Sequence, residues 1–64
     1  MKIYYDSKVK ALYIKLSSKK PDGVIEPKEG VNLDTTTEGE VVGIEILNVS
    51  QKVITDVFPG IFTQ

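Results

Sequence analysis

The sequence has 64 residues, eight of them lysine and nine acidic, and a net charge of −1. It contains no cysteine, histidine or arginine, which excludes disulfides and a zinc site built from the usual ligands. The balanced charge offers no attraction to nucleic acid or to an anionic membrane. No apolar run approaches the roughly 20 residues that a membrane helix needs.

These totals predict one small domain, residues 1–64, that holds no cofactor. The chain opens on a strand pattern instead of the apolar core of a signal peptide, so we expect a cytoplasmic protein. A chain of this size buries only about 60% of the surface that its unfolded form exposes. Small scaffolds gain stability from disulfides, metals or association. Because disulfides and a zinc site of the usual ligands are excluded, we expect the chain to gain stability by association.

Two strands are predicted at the start of the chain. Tyrosine and isoleucine, which favour a pleated surface, indicate a first strand from Lys2 to Tyr5. Asp6 and Ser7 begin a polar turn, and a second strand runs from Ala11 to Ser17. The two strands form a hairpin.

The middle of the chain contains a second predicted hairpin. Pro27 lacks an N–H group and cannot lie in a central strand, so Val24 to Glu26 is predicted to be an edge strand or an extended loop. Alternating apolar and polar residues predict a third strand from Val31 to Thr35. They also predict a fourth from Glu40 to Asn48.

The spacing of apolar residues changes after the fourth strand. Val49, Val53 and Val57 recur every four residues, which predicts a short helix, and Asn48 with Gln51 resembles a capping box. The predicted fold class is therefore α+β. It is an antiparallel four-stranded β-meander of two hairpins, with one short C-terminal helix packed on the apolar face.

The two faces of the predicted sheet differ in polarity. Residues from all four strands form the apolar face: Ile3, Tyr5, Leu12, Ile14, Leu16, Val31, Leu33, Val42, Ile44 and Ile46. The other face is mostly polar, and Gly43 leaves room there for a neighbouring ring. Apolar residues on that second face and in the tail are the predicted homodimer interface: Ala11, Tyr13, Val41, Leu47, Ile61 and Phe62.

Two blocks, "YDSKVKALYIKL" and "GVNLDTTTEGEVVGIEILNVS", carry a family resemblance. They are similar to the pattern Y-D-x-x-x-D-A-L-Y-I-x-L followed by V-x-L-D-x-x-x-x-G-x-x-V-G-I-E-I-L-x-A-S. About residues 1–50 of the chain therefore resemble the domain of unknown function 2283 family of small prokaryotic proteins. The resemblance implies a compact strand meander with a short helix and no established activity. Some relatives lie beside small toxin-like genes, which implies an antitoxin-like or partner-binding role.

The chain departs from the family pattern at its acidic positions. Lys8 and Lys10 stand in the first turn where the family often has acids, and Asp34 is the lone acid before the second turn. The alternative function, a carboxylate cation site or a small enzyme, would use Asp6, Asp34 and Glu45. Structural roles are favoured for all three: Asp6 caps a turn, Asp34 opens one, and Glu45 pairs with a lysine such as Lys15.

No residue is predicted to be catalytic or to bind a metal or cofactor. Ser17, Ser18 and Ser50 lack a histidine base, and a serine–lysine pair with Lys19 or Lys20 would lie in a solvated loop. Stacking of single-stranded nucleic acid on Tyr13 is opposed by the interleaved acids. The sequence therefore favours a non-enzymatic, self-associating protein-interaction module, with a protein partner as a further expectation.

Overall fold

The computed structural model of the chain describes residues 1–60 and is an α+β fold with an antiparallel sheet. Five strands and one helix follow in chain order: β1 Lys2–Asp6, β2 Ala11–Lys15, β3 Gly23–Lys28, β4 Val31–Thr35, β5 Val41–Ile46 and α1 Gln51–Val57. The prediction of four strands was wrong, because the segment around Pro27 forms the full edge strand β3. Its place at the edge agrees with the missing N–H of Pro27.

The strand order is β1-β2-β5-β4-β3, so the sheet is not a simple meander. Strand β2 pairs with β5 and not with the next strand along the chain. The prediction missed that β5 suits a central position, since apolar or small residues lie on both sides of its pleat and Glu45 is its one charged residue. Val42 and Gly43 are both buried in it. A strand that is paired along both edges is more enclosed than an edge strand, which suits residues of this kind.

The connection between β2 and β3 passes the ends of β5 and β4 and is fixed there by polar contacts. Residues 16–22 extend to at most about 23 Å, which is enough to pass three strand spacings of about 4.8 Å. The Asp22 backbone N–H donates to the Thr35 carbonyl at 2.8 Å. The Lys19 ammonium lies 2.8 Å from the Glu40 carboxylate. The connection between β2 and β3 is therefore tied to the end of β4 and to the residue that precedes β5.

One irregularity in β5 changes the faces predicted from alternation. Gly43 lies opposite Asp34 and Val41 opposite Thr35, so Val42 is one extra residue. Val42 is buried, but it lies outside the core cluster and lines a cavity with Tyr13 and Lys15. Asp34 and Thr35 are neighbours in β4 and point to opposite faces. Their partners Gly43 and Val41 therefore also lie on opposite faces, although regular alternation would place them on the same one.

The N-cap of the helix α1 lies two residues later than the predicted cap, Asn48. Asn48 has a positive φ of 63°, a left-handed conformation that asparagine tolerates, so it turns the chain and does not cap. The N-cap is Ser50, whose Oγ accepts from the Val53 N–H at 3.3 Å. Among residues 1–60, no helix is long and apolar enough to cross a membrane.

The core lies between α1 and one end of the sheet. Tyr5, Leu12 and Ile54 are buried together, and the residues packed around them are Ile3, Ile14, Ile46, Val49 and Phe58. The Tyr5 hydroxyl donates to the Val49 carbonyl, which satisfies the polar end of the most buried aromatic side chain. The helix therefore packs on the apolar face of the sheet, as predicted, and the structure shows that this sheet is its own.

Candidate functional site

An unbroken row of apolar side chains crosses the whole sheet on the face that carries α1. The register aligns one residue from each strand in the order Ile3, Ile14, Ile44, Leu33, Ile25. Residues aligned across antiparallel strands share a face and contact each other. Four strand spacings of about 4.8 Å make the row about 19 Å long.

The helix is too small to cover this row. Its seven residues make it about 10 Å long and, with side chains, about as wide, so it covers roughly half of the sheet. The core cluster takes in Ile3 and Ile14 but does not extend to Ile44, Leu33 or Ile25. We call these last three residues the open row. Exposure is greatest at its outer end, where Ile25 is 54% accessible.

The opposite face carries a compact polar arrangement around Tyr13. The Tyr13 hydroxyl donates to the Asp34 carboxylate at 2.8 Å, and the Asn32 amide donates to the Glu45 carboxylate at 3.1 Å. The ring of Tyr13 lies over Gly43, so a Cβ placed there would come within 2.0 Å of the phenol oxygen. The prediction that Gly43 makes room for a ring is confirmed, and the ring belongs to Tyr13.

The surroundings of Tyr13 oppose ionisation of its phenol. The hydrogen bond to Asp34 is the main cause that raises the pKa of Tyr13 above its usual value, and burial and the charges of Asp34 and Glu45 add to it. A phenol held in its protonated form is a poor general base or nucleophile near neutral pH. The arrangement therefore acts as a structural clasp that joins β2 to β4 across β5.

Replacing Tyr13 with phenylalanine tests the clasp. Tyr13→Phe is expected to lower the free energy of unfolding by about 1 kcal/mol at neutral pH, because the half-buried Asp34 loses its donor. The raised pKa stabilises the folded state fully below about pH 10, the unfolded value, and this contribution is lost as pH rises through the folded pKa. In denaturant unfolding, the free energy of unfolding should therefore fall more steeply at alkaline pH for the wild type than for Tyr13→Phe.

The matched control is Tyr4→Phe. Tyr4 lies directly opposite Tyr13 on the same face and is more exposed. We expect this variant to keep the alkaline loss of the wild type. If the free energy of unfolding falls equally at alkaline pH in the wild type and in Tyr13→Phe, the hydrogen bond from Tyr13 to Asp34 does not stabilise the fold as proposed.

The structure separates the residues of the predicted interface. Ala11 and Tyr13 are half-buried, and the Tyr13 hydroxyl is bonded within the chain. Leu47 is exposed, and Val41 is exposed on the far side of the bulge. Ile61 and Phe62 lie outside the described residues. A role for these residues in association stays a prediction.

The three acids of the alternative site have separate partners. Asp6 accepts from the Lys8 backbone N–H at 2.9 Å, which is the predicted turn cap. Glu45 bonds to Asn32 where Lys15 was expected. Within residues 1–60, no three acidic side chains come together as a group that could hold a metal ion.

Two of the three candidate serines, Ser17 and Ser50, are engaged in local structure. Ser17 Oγ accepts from the Lys19 backbone N–H at 3.1 Å, while the Lys19 ammonium pairs with Glu40. Ser50 is the cap of α1. A serine–lysine nucleophile built from Ser17 and Lys19 therefore has no support in the geometry.

The strands of this chain match a known protein family. Residues 2–50 match the family model described as a protein of unknown function, DUF2283. The chain therefore belongs to this family, as its two sequence blocks predicted. No curated protein and no solved structure matches it. The matched range ends at the cap of α1, so it contains the open row and the Tyr13 clasp but not the helix.

Proposed function

We propose that this member of the DUF2283 family is a non-catalytic interaction module that associates with a second copy of itself. The observation that supports the proposal is the open row, which continues the apolar face beyond the core cluster through the half-buried Ile44 and Leu33 to the exposed Ile25. Burying a large aliphatic side chain contributes about 1.5–3 kcal/mol relative to leaving it in water. A partner that covers Ile44, Leu33 and Ile25 would complete the core of a marginally stable chain.

A second copy fits this surface in its chemistry. The open row presents isoleucine and leucine with no charged residue among them, so an identical row complements it. The net charge of −1 gives two copies almost no mutual repulsion. An isologous contact of this kind is the commonest form of self-association.

Ile25→Lys is expected to weaken this association at least about tenfold, equivalent to about 1.4 kcal/mol, because an ammonium group would be placed in the apolar contact. Sedimentation equilibrium should show the mass of the assembly falling to half or less. The control is Val24→Lys on the same strand. Val24 is 65% exposed and lies opposite Asp34, on the other face of the sheet, so its replacement should leave the mass unchanged. A monomeric wild type at high micromolar concentration, or equal effects of both variants, would refute the proposal.

The tail requires its own variant, because Ile61 and Phe62 were predicted to join the interface. A full-length chain with Ile61→Ser and Phe62→Ser separates two arrangements. Weaker association would assign these residues to the contact between copies. Stronger association would mean that they cover the open row within one chain.

The alternatives have less support. The carboxylates of Asp6, Asp34 and Glu45 each bond to a different group, so a cation would have to displace existing hydrogen bonds. A toxin-like partner is implied by the family resemblance alone. An apolar partner of that kind would use the same open row and would respond to Ile25→Lys in the same way.

A further inference from the structure

The two edge strands of the sheet differ in how they are protected. Natural edge strands are blunted by proline, by bulges or by covering elements. Strand β3 has Pro27 and a register shift between Ile25 and Lys28. Strand β1 has neither, and its five residues pair with β2 without any shift. Among residues 1–60 no strand pairs with the outer edge of β1, which is therefore a regular template for another strand.

The residues of β1 are arranged symmetrically about Tyr4. If a second β1 pairs antiparallel with Tyr4 opposite its own copy, Ile3 lies opposite Tyr5 and Lys2 opposite Asp6. Because the pairing is symmetric, two pairs of opposite charge form between the copies, one at each end of the paired strands. On the core face Ile3 lies opposite Tyr5, whose side chain is already buried in its own chain. On the other face the pairing places two Tyr4 rings side by side, and aromatic pairs stabilise antiparallel strands.

Charge also selects the direction of pairing. A parallel contact in the same position would place Lys2 opposite Lys2 and Asp6 opposite Asp6, and like charges directly opposite each other are destabilising. The lysine that normally discourages edge pairing is matched here by an acid at the same distance from Tyr4. We propose that β1 joins a second copy of this chain antiparallel about Tyr4 and so continues the sheet across ten strands.

This inference rests on the proposed function in one respect, that the partner is a second copy. The contact itself is different, because β1 is at the opposite edge of the sheet from β3, which carries Ile25. The two contacts can therefore be examined separately. All tests of the β1 contact use the full chain with Ile25→Lys, in which the contact through the open row is expected to be weakened.

The first test is a disulfide across the symmetry axis. Residues opposite each other in an antiparallel pair have Cα atoms about 4.5–5.5 Å apart, within the range of a disulfide, and the chain has no cysteine of its own. Tyr4→Cys should form a covalent dimer under mild oxidation at least about tenfold faster than Val24→Cys, an exposed control on the other edge strand. Equal rates for the two variants, or no dimer from Tyr4→Cys, would overturn the inference.

The second test exchanges the charges. Lys2→Asp creates two acid–acid pairs in the contact and should raise the dissociation constant about tenfold or more. Lys2→Asp combined with Asp6→Lys restores two opposite-charge pairs, and the dissociation constant should return toward the starting value. Asp6→Lys also removes the cap on the Lys8 N–H, so a lower melting temperature is expected in the double variant. A double variant that associates as weakly as Lys2→Asp would refute pairing about Tyr4.

The two proposals fail in different ways. If Ile25→Lys leaves the mass of the assembly unchanged while Tyr4→Cys cross-links, the open row is not a contact and the β1 inference stands. If Ile25→Lys halves the mass and Tyr4→Cys does not cross-link, association uses the open row alone and the β1 inference is wrong.

Discussion

Gly43→Ala is expected to lower the free energy of unfolding by about 1–3 kcal/mol, a large part of the stability of a domain of this size. The added Cβ would lie 2.0 Å from the Tyr13 phenol oxygen and 2.6 Å from the ring carbon that carries it. The ring has to move, and when it moves it loses the hydrogen bond to Asp34 and its packing over the backbone of β5. Denaturant unfolding monitored by circular dichroism measures the loss.

A double-mutant cycle shows whether the Tyr13 ring causes this loss. In a Tyr13→Ser background the ring is gone, so Gly43→Ala should cost less than about 1 kcal/mol. The matched control is Gly23→Ala, because the nearest atom to a Cβ at Gly23 is 3.8 Å away, an ordinary van der Waals distance. Gly23→Ala should be neutral or slightly stabilising. If Gly43→Ala costs the same with and without Tyr13, the ring is not what requires glycine in β5.

The same cycle bears on the predicted interface. A Tyr13 that is needed to hold β2, β5 and β4 together is not free to contribute its hydroxyl to a partner. Its ring edge and the neighbouring Ala11 and Leu47 are still accessible in part. Association measured on Tyr13→Phe, which keeps the ring and loses the clasp, separates these two roles.

The existence of most elements could be predicted from the sequence, because the signals are local. Alternation in Val31 to Thr35 and the four-residue spacing after Asn48 depend on side chains a few positions apart. The strand order could not be predicted in this way, since pairing of β2 with β5 joins residues about 30 positions apart. The useful signal was composition, because β5 has apolar or small residues on both sides and only one charged residue, Glu45, which favours a central position.

The bulge and the cap show a second limit of prediction. The run Val41-Val42-Gly43 gives no sign of which residue is extra, and a shift of one residue moves every preceding side chain to the other face. At the helix, both Asn48 and Ser50 are good N-caps by residue type. The positive φ of Asn48 decides between them, and that conformation follows from how β5 ends.

The candidate site was only partly predictable for a related reason. Gly43 in an apolar strand indicated a neighbouring ring, and the structure supplies Tyr13. That Asp34 would hold the phenol requires β4 on the far side of β5, which depends on the strand order. The open row depends on it too, because Ile25 extends the row only when β3 pairs as a full strand.

Ile54→Ala is expected to destabilise the fold by about 2–4 kcal/mol and to release α1 from the sheet. Ile54 is 1% exposed and is the one buried residue of α1, in contact with the cluster of Tyr5 and Leu12. Its loss leaves a cavity at the centre of the small core. The helical circular dichroism signal should fall together with the melting temperature, because no other residue of α1 is buried enough to hold the helix in place.

The matched control for this prediction is Val53→Ala in the same helix. Val53 is 50% exposed, and alanine has the higher helix propensity, so this change should be neutral or slightly stabilising. Equal losses from both variants would mean that α1 is held through a different face.

Repeating the melts over a hundredfold range of protein concentration connects this result to association. If Ile54→Ala lowers the melting temperature by the same amount at all concentrations, the helix is held by its own chain. If the difference from the wild type becomes smaller at high concentration, a second copy stabilises the variant.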